Sequence, residues 1–187
     1  MIRLTGLSAV FAIALIAIVL PTSAGAAPTA ASAVSRHQLR GYIAEVERVR
    51  LPVNALLNGA DPILVAYHEH LITPAQASLE MNTLEVRFAG YVLAMEEIRP
   101  SNATLARVNG PYAHTYYLED SYLSTLASDL NEGSFTNLPN TQDKQRLAII
   151  VWRTQIELLA RRTGITLPAD LQQAGRGEIA PSLSESS

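Results

Sequence analysis

Glu119 is the residue whose type and position conflict most in this chain. Between Pro111 and Leu130 the sequence reads as a helix, and Tyr112, Tyr116, Leu123, Leu126 and Leu130 share one face of it. Glu119 falls at the centre of that face. A carboxylate among apolar groups is costly unless it is paired, hydrogen-bonded or protonated. The expected partners are the Tyr112 and Tyr116 hydroxyls, Gln155 on the last long helix, or an inward-reaching arginine. One outcome is a ligand-binding acid of raised pKa on the floor of a tyrosine-lined pocket. The other, which the sequence favours, is a satisfied buried network that fixes helix register. His114 projects away from Glu119, and Asp120 lies about 100° round the wheel, where solvent or an arginine is expected. Tyr117 and Tyr122 flank the stripe.

Tyr67-His68-Glu69-His70 is the other conspicuous cluster. Residues two apart on a helix point to nearly opposite sides, so His68 and His70 share a metal only where the backbone is irregular. The zinc-binding helix needs two His at i, i+4, and the carboxylate-bridged di-iron bundle needs Glu-x-x-His. Neither pattern occurs. Thr73-Pro74 follows closely, so an unwound end could still gather His68, Glu69 and His70 around a metal, but a solvated polar patch is the expectation. Met81, Met95, His68, His70 and Tyr67 are haem ligands by type only, with no spacing that fixes them, so no cofactor is expected. The chain has no cysteine, which excludes disulfides, thiolate chemistry and covalent haem. It has no Gly-x-Ser-x-Gly and no glycine-rich phosphate loop. Arg146 and Arg153 on the last helix read as solvated. Asn102-Ala103-Thr104 matches a glycosylation sequon, relevant only in a glycosylating host.

The elements that must position these groups are helical. Leu39, Tyr42, Val46, Val49, Val53, Leu56 and Ala60 step by three and four, predicting one helix over 35–59, bent at Pro52. Asp61-Pro62 predicts a cap and a short helix to Leu71. Thr73 and Gln76 form a capping box for a helix running to Arg99, with Ala77, Met81, Leu84, Phe88, Tyr91, Met95 and Ile98 facing inward. Leu79, Val86 and Leu93 recur every seven residues on the opposite face. They are expected to pack under the short helix or a C-terminal strap, or else to meet another protein, in a homodimer or with a cell-envelope partner.

Ser101 predicts a cap for a short helix to Val108, which Asn109-Gly110-Pro111 interrupts before the helix from Pro111 to Asn131. Asn140 or Thr141 caps the last long helix, and Gly164 stops it. Leu147, Ala148, Val151, Trp152, Ile156, Leu158 and Leu159 cover about half its circumference, which predicts the most buried helix of the set. A turn or two is expected near Pro168–Ala174, then a strap and a loose tail over 176–187. Four long helices with mostly short loops predict an all-α, antiparallel up-down four-helix bundle over 35–175, with one or two extra short helices.

The first residues read as an address. Arg3 precedes an uncharged stretch from Leu7 to Leu20, then Pro21 and Ala24-Gly25-Ala26, the pattern of a cleaved signal peptide over 1–26. The stretch is short for a membrane anchor, and 27–34 reads as a flexible leader. Cleavage removes Arg3 and takes the formal charge from −3 to −4, a balance unlike that of nucleic-acid binders. Lys144 is the single lysine and alanine is abundant, a composition typical of high-GC bacterial coding. The sequence thus predicts an exported helical bundle, in the periplasm, cell wall or medium, acting by binding or protein interaction. The alternative is a small-molecule- or metal-binding protein or enzyme centred on Glu119, Tyr112 and Tyr116.

Overall fold

Residues 33–176 are described by a computed structural model. Residues 1–32, where the sequence predicts a signal peptide and leader, and residues 177–187 of the expected tail lie outside the described residues. The described chain forms helices and no strand: α1 (Arg36–Leu57), α2 (Ala60–His68), α3 (Pro74–Glu96), α4 (Ala103–Glu132), α5 (Gln142–Thr163) and α6 (Ala169–Gln173).

Helix N-termini leave backbone N–H groups without partners, and short polar side chains meet that need. Ser35 accepts from the Gln38 N–H while the Gln38 side chain accepts from Ser35, and Thr73 and Gln76 repeat the exchange. α4 is capped by Asn102, whose Oδ1 accepts from Thr104 at 2.9 Å, rather than by Ser101. α2 also departs from expectation. It begins at Ala60 without a side-chain cap, because the chain turns from α1 through only Asn58 and Gly59. Asp61 therefore sits inside the first turn, where its charge still faces the positive helix end. Gly133 and Gly164 close α4 and α5 in the left-handed region, each at φ 66°.

The expected break at Asn109-Gly110-Pro111 does not occur, and α4 runs through it for 30 residues. Asn109 is buried, and its amide has tertiary work. Oδ1 accepts from the Tyr42 hydroxyl at 2.9 Å and Nδ2 donates to the Ile98 carbonyl at 3.3 Å. An Asn so engaged does not compete with the helix for its own backbone. Pro111 is exposed, as is Arg107, whose carbonyl the proline ring deprives of a donor, so water can satisfy it. Pro52 is likewise exposed and α1 continues past it.

The four long helices form a ring in the order α1, α3, α4, α5, with α2 against α1 and α3 and α6 against α5. Cross-links fix their directions. Arg36 at the start of α1 donates to the Thr163 carbonyl at the end of α5, and Phe88 stacks on Tyr116 between α3 and α4. Tyr112 and Glu119 on α4 meet Trp152 and Gln145 on α5, in reversed order. Neighbours therefore run antiparallel, an up-down arrangement. Its core centres on Trp152, whose indole N–H donates to the Tyr42 hydroxyl at 2.8 Å while its ring stacks on Tyr112 with centroids 4.0 Å apart.

Two burial expectations need correction. α5 is not the most buried helix, since Leu147, Val151 and Leu158 are exposed. It packs along the narrow stripe Gln145, Trp152, Ile156 and Leu159, and the neighbours α4, α1 and the short α6 leave the rest of its apolar breadth open. On α3, Leu79, Val86 and Leu93 are 66 %, 62 % and 63 % exposed. α2 packs on α3 without covering them, and α6 lies on α5.

Continuity of α4 has a direct consequence. A Cβ on Gly110 would meet nothing within 4 Å and the residue is not at positive φ. Gly110→Ala should therefore raise the stability to urea by about 0.5–1 kcal/mol through helix propensity. A loss of stability would mean a break in the helix there.

Candidate functional site

Glu119 is buried, 4 % exposed, midway along α4. Oε2 accepts a hydrogen bond from Gln145 Nε2 at 2.9 Å, and the same amide donates to the Thr115 carbonyl at 3.3 Å. Both Gln145 N–H bonds are thereby used, and Glu119 Oε1 has no hydrogen-bond partner. Burial is the larger influence on this carboxyl and raises its pKa to about 7, against the smaller opposing effect of Gln145. Ionised, Oε1 is an acceptor without a donor; protonated, the carboxyl has a donor without an acceptor.

The expected partner, Gln155, is exposed on α5 and does not face Glu119. The helical phase explains the correction. Gln145 belongs to the stripe that continues through Trp152 and Ile156, whereas Gln155 lies one residue, about 100°, off it. Nor do the tyrosines serve Glu119. Tyr112 and Tyr116 are buried, pack edge to face at 5.8 Å, and hydrogen-bond with each other. Burial pushes both hydroxyls up, Tyr116 to about 12, so they stay protonated at neutral pH.

These residues wall a cavity of about 480 Å³ between α1, α4, α5 and the segment around α6. Phe88, Tyr112 and Tyr116 give an aromatic wall, Glu119 and Gln145 a polar one. Exposed Asn54, Asn58 and Gln173 carry it to the surface. Arg50, which the sequence reading did not single out, is buried here between two carboxylates. It pairs with Glu47 at 2.8 Å on its own helix and with Asp170 of α6. The α6 segment is also held by Arg153, which donates to the Ala174 carbonyl at 2.6 Å. Arg153 is thus half-buried and structural rather than simply solvated. The sequence signal for Arg50 was its place four residues after Val46 on the inward stripe of α1, three after Glu47. No signal foretold the path of Asp170.

The remaining candidates lie elsewhere. His68, Glu69 and His70 are exposed at the end of α2, with His70 left-handed at φ 58°. Among the described residues no three His, Asp or Glu side chains gather to hold a metal. Met81 and Met95 are core residues. Asp120 meets neither solvent nor an arginine fully. It is half-buried across from Glu85, and burial raises both carboxyls, that of Glu85 further through the Asp120 charge. His114 and Tyr117 border a second hollow of about 340 Å³, which contains no buried side-chain atom lacking a partner. Asn102 of the sequon is buried as the α4 cap.

The unfolded Glu119 carboxyl titrates near 4.5 and the folded one near 7, so the folded protein holds the extra proton between them. Stability from this group is complete below the unfolded value and falls as pH rises toward the folded one, by about 3 kcal/mol in all. Glu119→Gln removes that slope. It should match the wild type in acid and exceed it above neutrality in urea melts. A wild type more stable than the variant above neutrality would show the carboxylate to be satisfied.

No protein-family model matches the chain, and no curated protein or solved structure does either.

Proposed function

We propose that this chain is an exported binding protein whose α1–α4–α5 cavity holds a small organic cation, an ammonium group on an apolar or aromatic body. The single observation that carries the reading is the buried Glu119 carboxyl, with Oε1 lacking a hydrogen-bond partner, among the residues that line a 480 Å³ cavity. Ligand sites are typically concave, mostly apolar and oriented by a few polar groups.

The sign of the ligand charge follows from the lining. Arg50 is the one cation among the described lining residues, and Glu47 and Asp170 already flank it. Glu119 then makes the cavity acidic. An ammonium N–H supplies the donor that Oε1 lacks, and aromatic faces of Phe88, Tyr112 and Tyr116 favour a cation nearby. A carboxylate or phosphate would meet repulsion instead. Binding fits this constellation better than turnover, because Glu119 is flanked by an amide and by phenols that stay protonated. The export half of the proposal rests on the sequence of 1–26 alone.

Trp152 stacks on Tyr112 of the cavity wall, so its fluorescence reports occupancy. Phenethylammonium should change it saturably, and affinity should rise as pH climbs through about 7, where Glu119 ionises. Glu119→Gln should weaken binding by about tenfold or more, a charge-assisted hydrogen bond being worth roughly 1.5–3 kcal/mol. Equal binding by wild type and variant, or tighter binding in acid, would overturn the reading.

A further inference from the structure

The outer face of α3 has no role in the cavity, yet it is patterned. Leu79, Val86 and Leu93 recur every seven residues and stand more than 60 % exposed, opposite the buried stripe of Ala77, Met81, Leu84, Phe88 and Met95. Between them, at alternating spacings of four and three, lie Thr83 and Gly90. The whole is a seam of period 3.5, the repeat by which helices wind on one another. Gly90 is exposed and a Cβ there would meet nothing within 4 Å. Its missing side chain leaves a gap in the seam deep enough to take a facing leucine.

The flanking charges choose the occupant. Glu80 and Arg87 are exposed on the same edge of the seam, one heptad apart, and neither forms an ion pair among the described residues. The opposite edge carries Asn82 and Ala89, which are neutral, and then Glu96, which is engaged by Tyr117 of α4. In a parallel pair of α3 helices, the Glu80–Arg87 edge faces the Asn82–Ala89 edge of the partner. In an antiparallel pair, like edges meet, and each Glu80 then faces the other copy's Arg87. The same register sets Leu79 over Gly90 and Val86 beside Thr83, twice, as two-fold symmetry requires.

We propose that α3 docks on α3 of a second copy of this chain, antiparallel, through Leu79, Val86 and Leu93, with reciprocal Glu80–Arg87 pairs at the edge. The stripe is narrow and the pairs are at the rim, so their main effect is on register and orientation. The cavity lies away from this seam and stays open in the dimer.

Sedimentation equilibrium on the protein across a concentration series tests the proposal. A reversible monomer–dimer equilibrium is expected, abolished by Val86→Arg and unchanged by Val151→Arg on the exposed stripe of α5. Glu80→Arg should weaken the dimer by about tenfold, since it opposes arginines twice. The double variant Glu80→Arg/Arg87→Glu should restore it to within about threefold. Circular dichroism verifies that each variant is folded; were Val86→Arg to unfold, the charge pair alone decides. A monomer at every concentration, assemblies larger than a dimer, or a double variant no tighter than Glu80→Arg overturns the proposal.

Discussion

A single antiparallel register between α4 and α5 governs the rest of the molecule. Tyr112 stacks on Trp152 at 4.0 Å, and Glu119 meets Gln145 at 2.9 Å. The second pair lies seven residues further along α4 and seven earlier along α5, which is one relationship expressed twice. Trp152 locks it, because an indole N–H in a core must find an acceptor. Tyr42 supplies that acceptor from α1 and donates its own O–H to Asn109 on α4, which in turn ties down the chain just after α3 by donating to the Ile98 carbonyl. All four long helices are thus keyed through one chain of hydrogen bonds. Slipping α5 by one residue would break both the stack and the carboxyl–amide pair.

With that register in place, the carboxyl of Glu119 is held rather than merely tolerated. Gln145 satisfies one oxygen and spends its second N–H on the Thr115 carbonyl, so it cannot swing to serve the other. The phenols nearby are engaged with each other and with the core. Arg50, a cation that lines the same cavity, is drawn to Glu47 and to Asp170 of α6. The same contacts that close the fold therefore leave one oxygen of a cavity-lining residue unmet. Pre-organisation of this kind favours a ligand that brings its own donor.

Much of this was legible from residue types and spacing. The inward stripes of α1, α3 and α4 and the capping boxes of Ser35–Gln38 and Thr73–Gln76 follow from helical periodicity and local hydrogen-bond need. So does the conflict at Glu119. What was not legible depends on tertiary partners. Asn109-Gly110-Pro111 reads as a turn until Tyr42 and Ile98 engage the asparagine. Gln145 and Gln155 are alike in type, and only the phase set by Trp152 separates them. The breadth of apolar residues on α5 overstated its burial, because pattern shows which faces could be covered and not how many neighbours arrive. Arg50 and Asp170 come together from segments far apart in sequence, through a strap whose course has no periodic signal.

The central claim is that Glu119 is a buried acid whose second oxygen awaits a donor. Carboxyl carbon-13 NMR on the protein, with Glu119 assigned through Glu119→Gln, measures it directly. The free protein should show an inflection at about pH 7, which saturating phenethylammonium displaces to lower pH. An inflection near 4.5 in the free protein, or one that the amine leaves in place, would contradict the account.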